Sequence, residues 1–149
     1  MIITIDANIL IALFEDDAFK FGFKQFCKLN SVDQIIIPTP ALCEFLSHDN
    51  ADRFIFVQGF KRKTVSIGFD DKAAYLTAKL AEKYYSDRLE KDKQKVKVDL
   101  QILGIAIANG SQFILTKDGD FKDYISRLKL SIGIKSVPDL YIKNELFKN

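Results

Sequence analysis

Residues 3–16 read ITIDANILIALFED, and the fold turns on how this stretch divides. Met1 to Ile5 is a short β-branched, apolar run suited to a strand, and from Asn8 the apolar residues continue as a helix. A strand that passes straight into a helix opens an α/β unit, and Asp6 and Asn8 stand in the joint. On its own chemistry Asp6 caps the helix, because Asp and Asn accept hydrogen bonds from the unpaired N–H groups of a first turn.

The pattern repeats downstream. FKFGFKQFCKL spaces Phe19, Phe23, Phe26 and Cys27 at helical intervals, and QIIIP is a short apolar strand ended by Pro38. Thr39 and Pro40 suit the N-cap and first position of a helix carrying ALCEFL. An amphipathic piece from Arg53 to Phe60 and a short strand around Val65 follow. Asp70 or Asp71 then caps a long helix, DKAAYLTAKLAEKYYSDRLEK, and VDLQILGIAIANG forms another, nearly apolar all round, with Asp99 as its N-cap and a stop at Asn109 and Gly110. SQFILT is a strand, KDGDF a turn, and a short helix starts at Phe121 with Asp120 as its cap, ahead of a weak strand at 134–137. Short apolar strands alternating with helices predict a four- or five-stranded parallel sheet covered on both faces, a three-layer α/β/α sandwich.

The 149 residues make one domain, large enough to bury a core without disulfides. Cys27 and Cys43 lie in apolar helical patterns without CxxC spacing, so both are expected as reduced, buried thiols. No apolar run approaches the ~20 residues a bilayer demands. The N-terminus reads as strand, not as a basic region ahead of a long apolar one, so a soluble, cytoplasmic protein is expected. Net charge is only +2, but the bases are bunched: Arg88, Lys91, Lys93, Lys95 and Lys97 fall within RLEKDKQKVK, and Lys61 to Lys63 form a second basic spot.

Four acids attract attention by position. In a parallel sheet, ligands gather outside the carboxyl ends of the strands where the chain order reverses, and Asp6 and Asp118 each follow directly on a strand. Glu44 sits among Leu42, Cys43, Phe45 and Leu46, where a carboxylate must be paired, protonated, bound to a cation or turned to an open face. Asp99 opens a helix too apolar to lie on the surface. Each acid has an ordinary role as cap or turn former, but together they stand at element ends that meet at one sheet edge. Carboxylates crowded there raise one another's pKa unless a cation neutralises them, and oxygen ligands without His or Cys suit Mg²⁺ or Mn²⁺.

In that order, IDANIL, Glu44 in the helix after the second strand, Asp99 opening an apolar helix and LTKDGDF after the fourth strand, the chain resembles a PIN-domain nuclease, and within that group the VapC-type toxins of toxin–antitoxin pairs. The resemblance implies a homodimer, Mg²⁺- or Mn²⁺-dependent cleavage of RNA to 5′-phosphate and 3′-hydroxyl products, and a small antitoxin partner. It carries the catalytic and metal-binding positions onto Asp6, Glu44, Asp99 and Asp118, with Asn8 and Thr116 in support and Asp120 as an outer ligand or a helix cap. Ala7, Leu100 and the basic, Gly-free approach to Asp99 depart from the common pattern. The basic stretch from Arg88 to Lys97 could hold RNA phosphates or serve as a solvated helix end. Exposed aromatics within Phe19–Phe26 or Arg53–Phe60 could receive an antitoxin, although at helical spacing such residues are more often core.

Competing chemistries fit less well. The lone His48 cannot supply the two imidazoles of a metal-free ribonuclease, and GxxxxGKS, GxGxxG and GxSxG are absent. A phosphotransfer domain would place a second acid where Asn8 stands and a threonine where Leu10 stands. A housekeeping PIN nuclease and a catalytically inert RNA- or protein-binding module share the fold and differ in partners and activity.

Overall fold

The computed structural model describes residues 1–60, 63–86 and 93–135. Five strands form one parallel sheet: β1 (Ile2–Ile5), β2 (Gln34–Pro38), β3 (Thr64–Ile67), β4 (Phe113–Leu115) and β5 (Gly133–Lys135). Their spatial order is β3-β2-β1-β4-β5. The chain builds outward from β1 to β3 and then returns to add β4 on the opposite side of β1. The reversal falls between β1 and β4, and their carboxyl ends are therefore where a crevice opens.

Seven helices complete the described fold: α1 (Ala7–Glu15), α2 (Asp17–Leu29), α3 (Thr39–Leu46), α4 (Asn50–Gly59), α5 (Asp71–Ser86), α6 (Lys93–Ala108) and α7 (Asp120–Arg127). Side-chain alternation along the strands divides the core between two faces. Ile3, Ile5, Ile35, Ile37 and Leu115 pack against Leu10, Leu13, Phe19, Phe23, Phe26 and Phe45 of the first three helices, with Phe56 and Val57 of α4 at the margin. Ile114 meets Leu100, Leu103, Phe121 and Tyr124 on the other face, and Ile36 joins Ala73 and Ile105 there. This is the expected three-layer sandwich with the larger of the two anticipated strand numbers.

Several element ends differ from expectation. Asp99 does not cap its helix: α6 starts by Lys93, so Asp99 lies in its interior. Lys and Gln are good helix formers, and Val96 is buried one turn before Leu100, which extends the apolar stripe upstream. Pro38, not Thr39, occupies the cap position of α3, and no side chain caps that helix. Gly119 precedes α7, with Asp120 as its first residue. Asp70 does cap α5, accepting from the Ala73 N–H at 2.9 Å. Cys27 is buried, its thiol pushed up to about 11 by burial despite nearby Lys63, whereas Cys43 is exposed because it faces away from the sheet beside Glu44. The expected continuation of α5 through Arg88 and Lys91, and the end of the last strand at 136–137, lie outside the described residues.

One glycine sets an interhelical distance. A Cβ at Gly104 would stand 1.9 Å from Thr77 Oγ1 and 3.2 Å from the Ala73 carbonyl oxygen, so α6 lies against α5 with room for hydrogen only. The first turns of α6 bring Lys95 and Asp99 into one cleft with Asp6 and Asp118, the residues that follow β1 and β4.

Candidate metal centre

The joint after β1 is built by its own side chains. Asp6 caps α1, its Oδ1 accepting from the Ala7 N–H at 2.7 Å, while Oδ2 accepts from Thr116 Oγ1 at 3.0 Å and Asn8 Nδ2 at 3.2 Å. Asn8 Oδ1 accepts from the Lys117 N–H at 3.0 Å, and Thr116 Oγ1 accepts from the Asp118 N–H at the same distance. Asn8 and Thr116 thus tie the turn after β4 to the turn after β1. Asp118 Oδ1 in turn accepts from the Asp120 N–H at 2.9 Å, which fixes the entry to α7.

Asp6, Asn8, Glu44, Lys95, Asp99 and Asp118 line a single cleft of about 300 Å³ at the sheet's carboxyl edge. Asp6 and Asp99 are 6% and 7% exposed, and Glu44 stands on the open face of α3. Carboxylate oxygens of Asp99, Asp118 and Asp120 lie within 4.8 Å of one another. The four acids singled out by position therefore come from four separate elements to one place, with Asp120 at the rim.

Burial raises the Asp6 carboxyl to about 6, and the negative charges of Asp99 and Glu44 add to that shift against the lowering hydrogen bonds from Ala7 and Thr116. Asp99 is also raised, again by burial first, with Asp118 contributing and Lys95 and Tyr124 opposing. Such a site favours either protons or a cation. The donors are hard oxygens, two of them on buried acids held above the ordinary carboxylate range, and this set fits Mg²⁺ or Mn²⁺.

Lys95 lies within the acids. Its Nζ donates to Asp118 Oδ2 at 2.7 Å, Asp120 Oδ2 at 2.8 Å and Asp99 Oδ2 at 2.9 Å. Although burial opposes its charge, the bonds to Asp118, Asp120 and Asp99 hold the ammonium well above the usual lysine range. Of the other bases in that stretch, Lys97 is exposed on α6, and Arg88, Lys91 and the Lys93 side chain lie outside the described residues.

Tyr124 joins the site without a signal in its own sequence neighbourhood. Its buried hydroxyl donates to Asp99 Oδ2 at 2.9 Å, and its ring meets Tyr84 and Phe121 edge-on. Burial and the bond to Asp99 raise the phenol beyond its usual range, so it remains a donor. A buried tyrosine needs a partner for its hydroxyl, but nothing in DYISR specifies an acid 25 residues earlier. The Lys95–Asp99 pairing was visible as an i,i+4 spacing only once Lys95 is known to be helical. His48 is exposed.

Comparisons with known proteins agree with this architecture. VapBC2 from Rickettsia felis, solved bound to a DNA fragment from its promoter, shares 18% identity over 91% of this chain and 98% of its own, with a TM-score of 0.69. DNA-bound VapBC from Salmonella typhimurium shares 17% over 92% and 98%, with a TM-score of 0.65. VapC20 of Mycobacterium tuberculosis, a sarcin–ricin-loop-cleaving toxin, shares 12% over 81% and 93%, with a TM-score of 0.56. At these identities the likeness is one of fold. No curated protein matches the sequence. A family model for the PIN domain matches residues 3–125, most of the chain and all of the acids that line the cleft. The chain belongs to the PIN-domain family of nucleases.

Proposed function

We propose that this protein is a divalent-metal-dependent endoribonuclease and the toxin of a VapBC-type pair, acting in the cytoplasm as a homodimer. The observation that carries this reading is the arrival of Asp6, Glu44, Asp99 and Asp118 from four elements in one cleft at the sheet's reversal point. Similarity in fold to a toxin that cleaves the sarcin–ricin loop supports RNA as the substrate class.

Asp6, Asp99 and Asp118 would hold Mg²⁺ or Mn²⁺, with Asp120 at the edge of the set. Bound there, the ion would lower the pKa of a water and offset charge on the scissile phosphate. The protein's own groups do the rest. Asn8 and Thr116 keep Asp6 and the Asp118 turn in register through the bonds described above. Tyr124 fixes one oxygen of Asp99. Glu44, exposed at the mouth, orients or deprotonates the attacking water, and Lys97, exposed on α6, supplies a phosphate contact, a role we propose for Arg88, Lys91 and Lys93 as well. Phe54 and Ile55, exposed on α4, offer a small antitoxin an apolar foothold, whereas Phe19, Phe23, Phe26 and Arg53 are spent in the core.

The test is cleavage of structured RNA with Mg²⁺ or Mn²⁺. The wild type should cut, chelator should stop it, and Asp6→Asn and Asp99→Asn should each lower the rate by more than about a hundredfold, beyond what losing an outer partner of a ligand costs. Equal cutting by all samples would contradict the assignment.

A further inference from the structure

Lys95 stands where its charge is costly for a metal-binding cleft. Its ammonium is bonded to Asp99, Asp118 and Asp120, the three acids whose oxygens cluster most tightly, and two of those three line the cleft with Asp6. An ammonium with three donors satisfies three carboxylates at once, a task that in its absence would fall to water or to another cation. The side chain reaches them from Asp99's own helix, one turn upstream, so a rotamer change alone would withdraw it; it is still 45% exposed and has solvent to withdraw into.

We infer that Lys95 is a resident counter-cation of the acid cluster: it holds Asp99, Asp118 and Asp120 together in the metal-free protein and is displaced when a divalent ion enters. The inference rests on the metal reading proposed above. It follows from the geometry because the ion and the ammonium need the same oxygens. Asp99 Oδ2 already accepts from both Lys95 and Tyr124, and Asp118 Oδ1 is engaged by the Asp120 N–H, which leaves few oxygens for both cations together. The lysine therefore sets a threshold: metal binds only at a concentration sufficient to replace it, and Asp99, Asp118 and Asp120 share one cation or the other throughout. Tyr124 donates to the same Asp99 oxygen but carries no positive charge to repel the ion, so it stays through the exchange.

Mn²⁺ binding measured by calorimetry, and thermal unfolding with and without chelator, test this on the full chain for wild type, Lys95→Met and Lys95→Arg. Methionine keeps the aliphatic stem and helix propensity while removing the charge. Lys95→Met should bind Mn²⁺ about five- to thirtyfold more tightly than wild type, the range expected for releasing a few screened ion pairs. In chelator it should melt about 2–6 °C lower. Lys95→Arg, which keeps a cation, should stay near wild type in both. Unchanged or weaker Mn²⁺ affinity in Lys95→Met would overturn the exchange while leaving the metal site standing. Failure of all three proteins to bind Mn²⁺ would remove the metal reading and the exchange with it.

Discussion

Asp6 shows how one side chain can serve the fold and oppose it at once. It caps α1 and holds Thr116 and Asn8, yet its ionised form is buried beside Asp99 and Glu44, which lifts its pKa from 3.8 to about 6. A carboxyl raised on folding binds more protons in the native than in the unfolded state between those values, so metal-free stability falls as pH rises through that window. The contribution is on the order of 3 kcal/mol. Urea unfolding in chelator at pH 5 and pH 7.5 spans only the upper part of that window and should show about half of that loss, on the order of 1–2 kcal/mol, in the wild type and a smaller one in Asp6→Asn; equal losses would show that Asp6 is not the strained group. The residue's position was readable from its sequence neighbours, because strand, cap and helix are local facts. Its pKa was not, because the burial that chiefly raises it, like the approach of Asp99 and Glu44, comes only with the tertiary fold.

Among the elements, α6 departed furthest from what its residues announced. KQKV reads as a charged approach to an apolar helix, and Asp99 followed by a run of Leu and Ile reads as a cap. The chain instead continues helical from Lys93 because Val96 extends the buried stripe, and that extension turns Lys95 toward the acids. A local pattern cannot distinguish a helix end from a helix interior when both are polar for a turn. The position of α6 depends on Gly104. Gly104→Ala should cost about 1–3 kcal/mol by overpacking against Thr77 and Ala73. Thr77→Ala in the same chain should restore part of it, since the nearest clash is with the threonine hydroxyl. Denaturant midpoints would check both, and an additive double variant would contradict this packing.

At the scale of the whole molecule, the alternation of apolar strands and helices was enough to expect a parallel three-layer sandwich, and the order β3-β2-β1-β4-β5 adds what alternation leaves open: the reversal beside β1. Asp6 and Asp118 were placed in advance because each follows a strand. Glu44 was ambiguous among apolar neighbours, and the fold resolves it by putting Ala41 and Phe45 inward and Glu44 outward at the cleft mouth. Tyr124 was invisible, since its partner is fixed by how α7 packs on α6. Among the described residues, no helix is long and apolar enough to cross a membrane. The proposed activity requires that charge gathered from distant parts of the chain select a divalent ion at one point. A crystal soaked in Mn²⁺ and measured for anomalous scattering decides this directly. A peak bounded by Asp6, Asp99 and Asp118 is predicted; a cleft without one at saturating Mn²⁺, or a peak on another surface, would contradict it.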